Sequence, residues 1–140
     1  MISKKVGGAL QRVLVVDDRP AICSMLERVL EKAGFDVCAA TDGCSALGMA
    51  KSEMPEVAIV DCSLPGRMSG LQLLDALKQI SPTTKCVLMS GSSEAVSALE
   101  RAGVDAFLEK PFDVVTVVDL VNSLLGTHSN HEERRGAPRR

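Results

Sequence analysis

Four short apolar runs in this chain each stop at a residue that carries chemistry, and segments of helical period separate them. The runs precede Asp17 and Asp18, Asp61, Ser90 and Lys110, as in Val13 to Val16, Val57 to Val60, Cys86 to Met89 and Ala106 to Glu109. An uninterrupted apolar run of this length suits a strand buried on both faces. Strand followed by helix, five times over, constrains the chain to a parallel sheet covered on both faces, with right-handed crossovers.

The pattern predicts strands at 12–17, 35–40, 57–61, 85–90 and 105–109. The first helix spans 20–33, with Ile22, Met25, Leu26, Val29 and Leu30 on one face and Gly34 as its stop. The second starts near Asp42, turns Ala46, Leu47 and Ala50 inward, and Pro55 closes its connection. A loop from Pro65 to Gly70 leads to a third helix carrying Leu73, Leu74, Leu77 and Ile80. A short helix at 93–102 ends at Gly103. Val114 to Val118 are β-branched and lower helix propensity, yet the stripe continues through Val121, Leu124 and Leu125, so 113–125 reads as the last helix. The expectation is one domain over 11–125, with a flexible segment at 1–10 and a disordered tail at 126–140. In that tail His128 and His131 make no metal site, and the arginine pairs at 134–135 and 139–140 read as solvated charge.

For five strands the common doubly wound order is 2-1-3-4-5, the flavodoxin-like arrangement, in which strands one and three lie side by side and ligands bind beyond their carboxyl ends. Asp17, Asp18 and Asp61 then converge. Like charges ~4 Å apart at an effective dielectric of ~20 cost about 4 kcal/mol per pair, so the cluster calls for protons or a cation. Lys110 offers one positive charge, and a hard divalent ion such as Mg2+, or Mn2+ in its place, suits the remaining oxygens.

Composition narrows the partners. Sixteen basic against eighteen acidic residues leave a net charge of −2, which argues against direct nucleic-acid binding. No leader pattern and no run of ~20 apolar residues occurs, so the expectation is a cytoplasmic protein outside the membrane. Cys23, Cys38, Cys44, Cys62 and Cys86 are odd in number and lack metal-ligand spacing, which reads as reduced structural thiols. Cys62 is set apart by following Asp61.

In the order acidic pair, aspartate, hydroxyl, Lys-Pro, the residues from about Arg12 to Leu125 resemble the receiver domain of bacterial two-component response regulators, in its single-domain, chemotaxis-regulator-like form. The resemblance implies that Asp61 accepts a phosphoryl group from a sensor histidine kinase or histidine phosphotransfer protein. It implies Mg2+ held by Asp18, Asp61 and the backbone carbonyl of Ser63, with Asp17 acting through water. Lys110 and Ser90 would each hold a phosphoryl oxygen, Ser90 and Phe107 would form the switch, and Pro111 stands at the family's cis-proline position. Read from the strand pattern alone, Phe107 faces inward as ordinary core. The phospho-specific partner face would comprise helix 93–102, strand 105–109 and helix 113–125, with a homodimer through it left open. Such a protein is a signalling switch and not a turnover enzyme.

The chain departs from the commonest family pattern in an extra residue between Pro65 and Gly70 and in Ser63, two places after the acceptor, which leaves phosphoryl lifetime open. Gly91 keeps the site accessible. Two other classes would need different residues at these positions. A haloacid dehalogenase-type phosphatase wants a second aspartate where Ser63 stands. A flavin binder wants a Ser/Thr/Gly-rich loop where Asp17-Asp18-Arg19-Pro20 stands. A phosphorylation-independent interaction module, or a receiver cut from a larger regulator or hybrid kinase, are the alternatives that keep the same fold.

Overall fold

The computed structural model describes residues 5–6, 9–91 and 104–126. Five strands form one parallel sheet: β1 (Arg12–Val16), β2 (Asp36–Ala40), β3 (Val57–Asp61), β4 (Lys85–Ser90) and β5 (Ala106–Glu109). Their order is 2-1-3-4-5, with β1 and β3 adjacent in the middle. Four helices are described, α1 (Pro20–Lys32), α2 (Gly43–Glu53), α3 (Gly70–Ile80) and α4 (Val114–Leu125). The helix expected at 93–102, its stop at Gly103 and the tail past Gly126 lie outside the described residues. Ahead of β1, Lys5–Val6 and Ala9–Leu10 pair as an antiparallel ribbon, which the sequence reading did not foresee.

Alternation along the strands sorts their side chains into two cores. Val13, Val15, Val57, Ile59, Val87, Met89 and Leu108 meet Cys23, Leu26 and Leu30 of α1 and Val117 and Val121 of α4. Leu14, Val16, Ala58, Val60, Cys86 and Leu88 meet Ala46 and Ala50 of α2 and Leu73, Leu74 and Leu77 of α3. The inward line of α1 is therefore Cys23, Leu26 and Leu30, rotated from the expected face. Ile22 and Met25 are only half-buried. Ile80, the last residue of α3, is exposed. Val114 and Val115, in the first turn of α4, are exposed as well.

The helix ends follow local chemistry. Asp42 and Asp113 cap α2 and α4 by accepting from the backbone N–H of Ser45 and Thr116. At α3, Ser69 and Gln72 form a reciprocal capping box. Gly34 and Gly126 take positive φ where α1 and α4 end, as does Met54 after α2. Between the sheet and α3, the Asp105 carboxylate accepts from Lys78 Nζ at 2.9 Å and from the Cys86 N–H at 2.8 Å, so one side chain ties three elements together.

Candidate functional site

Three backbone bonds at the carboxyl edge of the sheet set the site residues. Asp17 N–H donates to the Ala40 carbonyl at 3.2 Å, Cys62 N–H to Met89 at 2.9 Å and Lys110 N–H to Ser90 at 2.9 Å. The strand ends are thus held in register, and Asp17, Asp61, Ser90 and Lys110 arrive at one place. Asp17 is fully buried and Asp61 nearly so, while Asp18 is exposed. One carboxylate oxygen from each of the three lies within 4.8 Å of the others.

Lys110 is the internal counterion. Its Nζ donates to Asp17 Oδ2 at 2.8 Å and to Asp61 Oδ2 at 3.3 Å. Burial alone would lower the Lys110 pKa, but the two carboxylates outweigh it and hold the ammonium above its ordinary value. Asp61 moves up too: burial disfavours its charge and Asp17 adds repulsion, against the Ser63 N–H and Lys110, which favour the carboxylate. The Ser63 N–H reaches Asp61 Oδ1 at 3.2 Å. The Lys110–Pro111 peptide bond is cis.

The arrangement fits a divalent cation. Both Asp17 oxygens accept from the protein, Oδ1 from Arg19 N–H at 2.9 Å and Oδ2 from Lys110. Both Asp61 oxygens accept as well, from Ser63 N–H and Lys110, but Asp61 lines an open cleft of about 690 Å3 with Asp18, Ser63, Ser90, Gly91 and Lys110, and Asp17 does not. Among the described residues nothing donates to Asp18 or to the Ser63 carbonyl, so hard oxygen donors face the cleft uncommitted.

Ser90 is buried to 1% exposure and lines the cleft. Phe107 is half-buried and stands opposite Leu88 in register. Its neighbour Leu108 belongs to the α1/α4 core, so alternation turns Phe107 to the other side of the sheet. All five cysteines are unpaired, with Cys23 and Cys86 buried and Cys44 exposed.

Two residues at the site were not singled out from the sequence. Gly70, the first residue of α3, lies so close to the end of β3 that a Cβ there would collide with the Asp61 carbonyl oxygen and come within 2.7 Å of the Cys62 Cα. A glycine directly after a Ser cap was the available signal. Cys23 Sγ donates to the Asp17 carbonyl at 3.3 Å. Burial pushes its thiol up, which keeps the proton in that bond. No signal in the spacing pointed to it.

Residues 13–122 match the family model of the response regulator receiver domain. The transcriptional regulatory protein PrrA of Mycobacterium tuberculosis is 38% identical over 117 residues, which cover 81% of this chain and 49% of that protein. The chain thus spans about half the length of such curated relatives. The sporulation initiation phosphotransferase F of Bacillus subtilis is 29% identical over 86% of this chain and 98% of its own length. Among solved structures, the receiver domain of NtrX from Brucella abortus aligns with a TM-score of 0.76 at 32% identity, covering 82% of this chain and 98% of that one.

Proposed function

Because this chain belongs to the response regulator receiver domain family, whose members are signalling switches and not turnover enzymes, we propose that Asp61 accepts a phosphoryl group from a histidine kinase or a histidine phosphotransfer protein. The observation that carries the reading is a buried carboxylate at a strand end, bonded to Lys110, with Asp18 and an open cleft beside it. An Asp61 oxygen forms the new bond to phosphorus, and the donor's phosphorus–nitrogen bond breaks. Its electron pair leaves on the imidazole, which takes a proton from water. A carboxylate attacks as the anion, so an aspartate acceptor needs no base.

Asp18, Asp61 and the Ser63 carbonyl would hold Mg2+ or Mn2+, with Asp17 behind them acting through water. Bound there, the ion offsets the charge of the incoming phosphoryl oxygens. Lys110 reaches from Asp61 to a phosphoryl oxygen, and Ser90 donates its hydroxyl to another. Each bond to a charged acceptor is worth about 1.5–3 kcal/mol, so together they approach the ~5.5 kcal/mol that inverts a 1:99 equilibrium. The half-buried Phe107 then repacks behind Ser90 and alters the face around β5 and α4, where a phospho-specific partner or a second copy binds. Val114 and Val115 offer apolar surface on that face.

Two settings for this switch each have an observation in their favour. End-to-end coverage of the Bacillus phosphotransferase favours a stand-alone domain or phosphorelay intermediate. The half-length match to PrrA favours a receiver within a longer regulator, whose other part would make any DNA contact. No described helix is long and apolar enough to cross a membrane, and a kinase-fed switch works in the cytoplasm.

The test is intact mass after incubation with acetyl phosphate and Mg2+, alongside Asp61→Asn and a chelator. Gain of one phosphoryl group, lost in both controls, is the expected result. No gain in any condition would replace this reading with a phosphorylation-independent interaction module.

A further inference from the structure

Arg19 is placed against its local interests. It occupies the N-cap of α1, where Ser, Thr, Asp or Asn would satisfy the helix, and its side chain makes no cap bond. A cation at a helix N-terminus also opposes the macrodipole. Its backbone is pinned on both sides: the N–H donates to Asp17 Oδ1 at 2.9 Å, and the carbonyl accepts from Ile22 and Cys23 at 3.0 and 3.3 Å. The guanidinium therefore springs from a fixed point on the cleft wall.

Among the described residues, Lys110 and Arg19 are the two cationic side chains lining the cleft. Lys110 is committed to Asp17 and Asp61. Among the described residues Arg19 makes no ion pair and no side-chain hydrogen bond, although three carboxylates stand nearby. Plain neutralisation of the acids would have drawn it onto one of them. A planar guanidinium with five donors, exposed on the cleft lining and uncommitted, suits a phosphate-bearing anion entering from solvent.

We propose, on the premise that Asp61 is the acceptor, that the Arg19 guanidinium contacts the anionic phosphodonor as it enters and aligns it for transfer to Asp61. With acetyl phosphate, the bond broken is the phosphorus–oxygen bond to the acyl group, and acetate leaves with the electron pair. Arg19 forms no covalent bond and transfers no proton. It is a residue for donor capture, distinct from the set that holds the phosphoryl group after transfer.

Initial phosphorylation rates with acetyl phosphate below saturation, read by intact mass, test this in wild type, Arg19→Gln and Arg19→Lys. Mg2+ affinity is measured by calorimetry on the same proteins. The expected result is a fall of about tenfold in Arg19→Gln, the lower end for a hydrogen bond to a charged group because the site is open to water. Substantial recovery in Arg19→Lys, a smaller gap at high salt, and Mg2+ binding as tight as wild type or tighter complete it. Arg19→Gln reacting as fast as wild type would overturn the proposal, as would slowing matched by an equal loss of Mg2+ affinity. A wild type that gains no phosphoryl group would instead sink the acceptor reading, and this inference with it.

Discussion

Asp61, at the carboxyl end of β3, and Asp105, just ahead of β5, shift in opposite senses. Asp105 is held below the ordinary carboxylate range: its partial burial works against this, but the Cys86 N–H and Lys78 outweigh it. A depressed carboxyl contributes stability that is present above its unfolded value of ~3.9 and is lost as pH falls through the folded value. Asp105→Asn should therefore flatten the acid limb of a urea-stability profile below about pH 4, and cost about 1 kcal/mol at pH 7, discounted for its partial exposure. Asp61 is raised, chiefly by burial, so the folded protein keeps that proton longer, and metal-free stability falls as pH climbs past ~3.9. Asp61→Asn should accordingly raise the metal-free urea midpoint at pH 7, for a gain in stability on the order of 1 kcal/mol, the scale of one like-charge pair ~4 Å apart in water. A lower midpoint would mean that its bonds to Lys110 and Ser63 outweigh the repulsion.

At the level of elements, two glycines of neighbouring helices make a matched test. Gly48 is exposed in the middle of α2 with nothing within 4 Å of a Cβ built on it, so Gly48→Ala should stabilise by about 0.5–1 kcal/mol. Gly70→Ala should destabilise by about 3 kcal/mol, the upper end for overpacking, because the atoms in its way are backbone of Asp61 and Cys62. Both are read from urea transitions followed by circular dichroism. The contrast marks what the residues disclosed. The start of α2 was legible at Asp42, which acts through a bond three residues away, as Ser69 and Asp113 do at α3 and α4. The role of Gly70 was not, because it depends on how closely α3 is pressed to β3 by packing distant in the chain. For the same reason the inward line of α1 takes in Cys23: the helical period gives the spacing of a stripe, and only the sheet beneath sets its rotation.

For the molecule as a whole, strand order and the convergence of Asp17, Asp18, Asp61, Ser90 and Lys110 could be anticipated, since parallel strands with helical crossovers leave few topologies. The ribbon at Lys5–Val6 and Ala9–Leu10 could not, having no alternating apolar pattern to announce it. If the cleft holds Mg2+, binding to the folded state alone stabilises it by ~1.4 kcal/mol at ten times Kd, or about 5 °C in Tm for a domain of this size. The shift should vanish with chelator and shrink in Asp18→Asn, as read by thermal circular dichroism; an equal shift in the variant would place the ion elsewhere. Beneath that cleft lies β3, paired on both edges, its first four residues fully buried and feeding both cores. Its amide protons should exchange only when the entire chain unfolds, hours after those of the helix ends. The acceptor is thus mounted on one of the slowest clocks in the protein, and a signal written there has to be read at the strand tips, where side chains can still turn.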